Sequence, residues 1–215
     1  MTIALDIKLQ QRINQPVTQE TYGYVYRKRM FGKKTLYTFT HDDYQLVATR
    51  MCRHFYKIIA HHNGYTSSIL GRLQRMHDIF LLWYGPIQKK EVLMYSTKNI
   101  RYVYLPPKQL EKIENDPSDS LLDKTIHTIT WTHMQEIIKN KQNKYRFSRR
   151  YDDWIFIQGN IPSVKNTKIG KYGQDHIFEF NRRNNDKFQL FFQSPLTPIQ
   201  AFAMSMVIFD CSKHP

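Results

Sequence analysis

Acidic residues are in short supply in this 215-residue chain: eighteen Asp and Glu stand against thirty-two Lys and Arg, a formal charge of +14. That imbalance points away from cationic partners and toward polyanions, meaning nucleic acid, anionic lipid headgroups or acidic protein surfaces. Cysteine is scarcer still. Cys52 and Cys211 are too few for a disulfide framework, no Asn-x-Ser/Thr sequon occurs, and residues 1–19 lack the basic start and apolar run of a signal peptide. A reducing, cytoplasmic setting is the expectation. Long apolar runs are missing too. The longest, at the C-terminus, has about 15 residues, short of the ~20 that a spanning helix needs, so membrane contact is expected to be peripheral.

Catalytic signatures are equally thin. Gly32-Lys33-Lys34 has neither the upstream Gly nor the downstream Ser or Thr of a phosphate-cradling loop. Cys52, His54, His61 and His62 do not follow the spacing of a tetrahedral zinc site. No nucleophile elbow or paired catalytic carboxylates are recognisable. The chain therefore reads as a binding protein without cofactor, metal or enzymatic activity.

What is present is apolar and aromatic: 41% hydrophobic residues and 14% Phe, Trp and Tyr, enough for one sizeable core. Short runs rich in β-branched and aromatic residues lie at 22–26, 35–40, 44–51, 55–60, 78–84, 91–95 and 101–105, and again at 154–158, 176–180 and 187–192. Gly, Asn, Asp and Pro separate them, which is the pattern of antiparallel strands and hairpins. Residues 1–21 read as a polar tail and 211–215 as a second one. Residues 108–150 read as an insertion holding an acidic loop and an amphipathic helical pattern at 131–143.

The excess charge is concentrated. From Arg27 to Arg101 there are fourteen basic and four acidic residues. Arg50, Arg53, Arg72 and Arg75, with Lys33 and Lys34, are the candidate anion-binding residues, because guanidinium groups hold phosphate oxygens bidentately. Trp83, Tyr84, Tyr102, Tyr104, Trp131 and Trp154 interleave with this charge and could stack on single-stranded nucleic acid. Alternation within strands favours core packing for most of them, and nucleic acid is the lesser reading.

The C-terminal segment differs in kind. Thr197 is an N-cap candidate with Pro198 at the first helical position. Ile199 to Phe209 is apolar on every face except for Gln200 and Ser205. A helix apolar all round is buried all round, and in a chain of short strands a closed barrel is the shape that encloses one.

Pro195-Leu196-Thr197-Pro198-Ile199-Gln200-Ala201-Phe202-Ala203-Met204, running on to Phe209-Asp210, resembles the C-terminal signature of the tubby family. Ser163-Val164-Lys165-Asn166 matches a second family string, and the stretch from Asp78 to Pro107 is a looser third match. The resemblance implies a closed antiparallel β-barrel of about twelve strands over residues 22–210, threaded by a buried C-terminal α-helix at 195–210. It also implies a peripheral membrane protein that binds PI(4,5)P2-type phosphoinositides. Arg53 falls on one family ligand position, Met51 stands where a Lys is expected, and Leu70-Gly71-Arg72-Leu73 is followed by Gln74 where a third ligand belongs. That erosion leaves room for another role: a structural subunit of a large assembly, ciliary or axonemal by the family's associations, with partners held through residues 1–21 and 108–150.

Overall fold

The computed structural model describes residues 9, 12–30, 35–52, 55–62, 64–66, 70–76, 79–84, 89–96, 101–104, 144–148, 163, 165–170 and 176–211. Within them lie β1 (Thr21–Arg29), β2 (Thr35–His41), β3 (Tyr44–Cys52), β4 (Phe55–His62), β5 (Tyr65–Thr66), β6 (Gly71–Met76), β7 (Ile79–Tyr84), β8 (Lys89–Ser96), β9 (Arg101–Tyr104), β10 (Lys144–Ser148), β11 (Thr167–Gly170), β12 (His176–Arg182) and β13 (Lys187–Phe192). A single long helix, α1 (Pro198–Cys211), follows them. The protein is mainly β, and the strands form one antiparallel sheet in the order β3-β2-β1-β13-β12-β11-β10-β9-β8-β7-β6-β4-β5, with β3 also paired to β4.

Period-two alternation sets which side chains meet α1. In β2, β4 and β13 every second residue is buried: Tyr37 and Phe39; Tyr56, Ile58 and Ala60; Phe188, Leu190 and Phe192. These side chains share one face of the pleated sheet, which is the face covered by the helix. Every residue from Leu196, just before α1, to Asp210 in its last turn is buried. Phe202 packs on Phe39, with ring centroids 6.0 Å apart, and Phe209 stands edge-on to Phe188 and Phe180 at 4.8 and 5.5 Å. The backbone of β6 comes close as well. A Cβ added at Gly71 would sit 2.9 Å from Cδ1 of Ile199, so this position admits only glycine without movement.

The helix start is a reciprocal capping box. The Thr197 amide donates to Oε1 of Gln200 at 3.0 Å, and the Gln200 amide donates to the Thr197 hydroxyl at 3.2 Å. Two amide groups that a buried helix end would otherwise leave orphaned are thereby satisfied. The expected cap at Thr197 is present, and the helix itself begins at Pro198 rather than at 195.

Three sequence expectations need correction. Part of the proposed N-terminal tail is core: Ile13 is fully buried, Leu9 is nearly so, and the Val17 amide donates to the Leu196 carbonyl at 3.1 Å. Arg12 also pairs with Asp43. The segment was read as polar because its few apolar residues are spread at helical spacing. The insertion is shorter than 108–150, because β10 pairs with β9 and β11 and belongs to the sheet. Strands β6 and β11 were not anticipated; Gly, Gln and basic residues dilute their β signal. The proposed strand at 154–158 and helical stretch at 131–143 lie outside the described residues.

Phe202→Asp should abolish soluble, cooperatively folded protein, since an unpaired carboxylate among Phe39, Phe192 and the rest of the core costs several kcal/mol. A soluble variant with a sharp thermal transition would contradict the burial of α1.

Candidate functional site

Strand parity divides the basic residues of the first half into two sets. Arg50 on β3 shares a rung with Tyr56 on β4, and Tyr56 with Leu73 on β6; both Tyr56 and Leu73 belong to the core. Arg50 therefore faces inward. Its guanidinium lies 3.5 Å from the carboxylate of Asp210 in the last turn of α1, stacks over the Tyr56 ring at 5.8 Å, and donates to the Cys52 carbonyl at 3.4 Å. A carboxylate at a helix C-terminus faces the negative end of the macrodipole, and Asp210 is only 4% exposed. The arginine supplies the compensating charge. Arg75 is on the same face of β6 as Leu73 and lies over the buried Phe80 ring at 5.6 Å.

Around the same helix end, Lys165 and Arg27 approach Phe209 at 5.2 and 5.6 Å from its ring centroid. Arg27 is itself held by Asp186 at 2.9 Å. The Asn166 side-chain oxygen accepts from the Arg182 backbone amide at 2.8 Å, and the Asn166 backbone amide donates to the Ser163 carbonyl at 3.0 Å. The Ser163, Lys165 and Asn166 string and the Phe209-Asp210 string thus converge on one structural node. Burial pushes the Tyr56 hydroxyl well above the usual tyrosine range and raises that of Tyr37, and the nearby Asp210 carboxylate adds to both. The Tyr56 hydroxyl is close enough to feel that carboxylate, yet neither it nor Oδ2 of Asp210 makes a hydrogen bond of regular geometry among the described residues.

Arg72 is on the other face. Gly71 and Leu73 point at α1 and the core, so the residue between them is exposed to solvent. Directly opposite stands Lys57 on β4, flanked by the inward Tyr56 and Ile58. The rung runs on in both directions: Lys28, Leu36, Thr49, Lys57, Arg72 and Trp83 are successive partners across β1, β2, β3, β4, β6 and β7, and Lys90 is the next register position on β8. At about 4.8 Å per strand the row extends roughly 29 Å. It contains no acidic residue, and neither Lys57 nor Arg72 has an ionic partner among the described residues. Like charges directly opposite destabilise a sheet, so this pairing is costly unless an anion occupies it.

Of the six residues singled out in the sequence, the structure places Arg72 on the outer face and turns Arg50 and Arg75 inward. Arg53, Lys33 and Lys34 lie outside the described residues. Lys57 and Lys28 were missed, and alternation was the signal that would have found them. Among the described residues no group of His, Cys, Asp and Glu side chains is arranged to hold a metal ion, and no helix is long and apolar enough to cross a membrane.

Two outcomes follow for the inner node. Arg50→Ala leaves Asp210 buried without its counter-charge and should cost about 3 kcal/mol in urea unfolding, with partial recovery in Arg50→Ala/Asp210→Asn. The tyrosines set an alkaline limit. Their folded pKa values are raised, so the stability of the protonated forms is intact below the ordinary value of about 10 and is lost above it. The loss should be about 1.4 kcal/mol per pH unit for each tyrosine, seen as unfolding coincident with tyrosinate absorbance. Exposure of tyrosinate without loss of structure would contradict the burial of Tyr37 and Tyr56.

The chain matches no model of a known protein family and no curated protein, so a functional reading rests on this geometry together with the sequence motifs.

Proposed function

We propose that the chain is a non-enzymatic, tubby-like domain whose sheet closes into a barrel around α1 and whose outer basic row binds phosphoinositide headgroups of the PI(4,5)P2 type at a membrane surface. The β3–β4 ladder supports closure, because it joins the two sides of the strand order, and burial of α1 on every face requires enclosure. The observation that carries the headgroup reading is the Lys57–Arg72 pair: two cations face to face on the solvent side, without a neutralising carboxylate among the described residues. A headgroup phosphate bridging them converts a repulsive pair into a charge-assisted site. Arg72 stands within the string that resembles a family ligand segment, whereas Arg50, by its contact with Asp210, is a helix-holding residue.

A second reading is favoured by another feature. Tyr22, Tyr24 and Tyr26 lie in line on the outer face of β1 and are 55%, 39% and 41% exposed. Aromatic residues in such a row are typical of protein interfaces, and they support the role of an assembly subunit. Purification from native material separates the two readings: a stoichiometric large complex lost on Tyr24→Ala/Tyr26→Ala favours assembly.

Liposome co-sedimentation tests the lipid reading. Lys57→Ala/Arg72→Ala should weaken binding to vesicles containing PI(4,5)P2 by about 2 kcal/mol, roughly thirtyfold, at ~1 kcal/mol per basic residue near an anionic leaflet. Lys168→Ala, which removes a lysine already paired with Glu179 at 2.9 Å, should leave it unchanged. Equal binding by wild type and the double variant would overturn the assignment.

A further inference from the structure

Exposed large apolar side chains are few among the described residues: the three tyrosines of β1, Met30 at 49% and Met51 at 59%. The two methionines are far apart in sequence but share a place in the fold. Lys28, Leu36 and Thr49 form one continuous rung across β1, β2 and β3. Met30 lies two residues beyond Lys28, and Met51 two residues beyond Thr49. Met30 directly follows the end of β1 and Met51 lies in the β-bulge between Arg50 and Cys52 of β3, so both are exposed at the same end of these strands. The basic row of Lys28, Lys57 and Arg72 runs about 7 Å behind them.

The electrostatic setting is mainly basic, and Asp186, a carboxylate beside β1, is paired with Arg27. No Asp or Glu occurs between Arg27 and His41 or between Tyr44 and His77, the stretches that contain both methionines and the whole row from Lys28 to Arg72. Arg29, next to Met30, is exposed as well. Unbranched thioether side chains ahead of a line of cations make an amphipathic edge, with apolar tips leading and positive charge at headgroup depth behind them. An anionic leaflet has the complementary order, with phosphates outside and acyl chains within.

We propose that this edge inserts into the bilayer, with Met30 and Met51 entering the boundary between headgroups and acyl chains while Lys28, Lys57 and Arg72 engage the phosphates. The inference rests on the headgroup reading above and adds the depth and orientation of docking. It commits to a lipid surface: two exposed thioethers within stretches of chain that carry basic residues and no carboxylate suit a polyanionic sheet.

The probe is at hand. Cys52 is exposed and adjoins Met51. A polarity-sensitive fluorophore on Cys52, in a Cys211→Ser background, is followed on vesicles of phosphatidylcholine, phosphatidylserine and PI(4,5)P2 carrying brominated acyl chains. A blue shift with quenching is expected, and in the unlabelled protein Met30→Ser/Met51→Ser should lower vesicle partitioning roughly tenfold while keeping wild-type affinity for a soluble inositol phosphate. If wild type sediments with the vesicles but the fluorophore is not quenched and the serine variant partitions normally, insertion is overturned and the headgroup reading stands. If wild type does not sediment at all, both are overturned.

Discussion

A helix without a polar face imposes one demand on the chain: it has to be surrounded. Leu196 to Asp210 is buried throughout, and at about 25 cal/mol per Å² of apolar surface the residues Ile199, Phe202, Met206 and Phe209 supply a large part of the driving force for folding. The rest of the structure answers that demand. Strands β2, β4, β12 and β13 present mostly aromatic or branched side chains to it, Gly71 lets β6 come close, Ile13 is buried in the core, and Val17 bonds to Leu196 at the helix start.

Burial creates a second requirement at each helix end. At the start, Thr197 and Gln200 satisfy each other's backbone amides. At the finish stands Asp210, an acidic residue where the helix dipole disfavours one, held by Arg50. That pair explains why an arginine faces inward on β3. On a pleated strand the residue that serves the core and its neighbour that serves solvent cannot exchange roles. Arg50 and Arg72 have the same chemistry and opposite assignments because they occupy opposite phases of the pleat.

Much of this was legible in the residues themselves. The helix at Pro198, its cap at Thr197, its burial, and most strands of the first half follow from periodicity and turn chemistry. The site was less legible. Grouping Arg50, Arg72 and Arg75 by charge and proximity in sequence ignored the side of the strand that each occupies, and Leu46 and Ala48, four and two residues before Arg50 and both buried, already marked its direction. The Lys57–Arg72 pair requires the β4–β6 register, a long-range property that no local pattern specifies. The N-terminal segment misled for a different reason. Its packing depends on an enclosing surface that exists only once the strands are assembled, so its three apolar contacts looked incidental in a polar stretch.

In the proposed function the solvent-side cations, rather than those around the helix end, meet the anion. Backbone amide chemical shifts during titration with a soluble inositol phosphate bearing phosphates at positions 4 and 5 test it most directly. Perturbations centred on Lys57 and Arg72 in β4 and β6, fading across Thr49 and Trp83, with Lys165, Phe209 and Asp210 silent, are the expected result. Shifts concentrated at Arg27, Lys165 and Asp210, or none on β4 and β6, would contradict it.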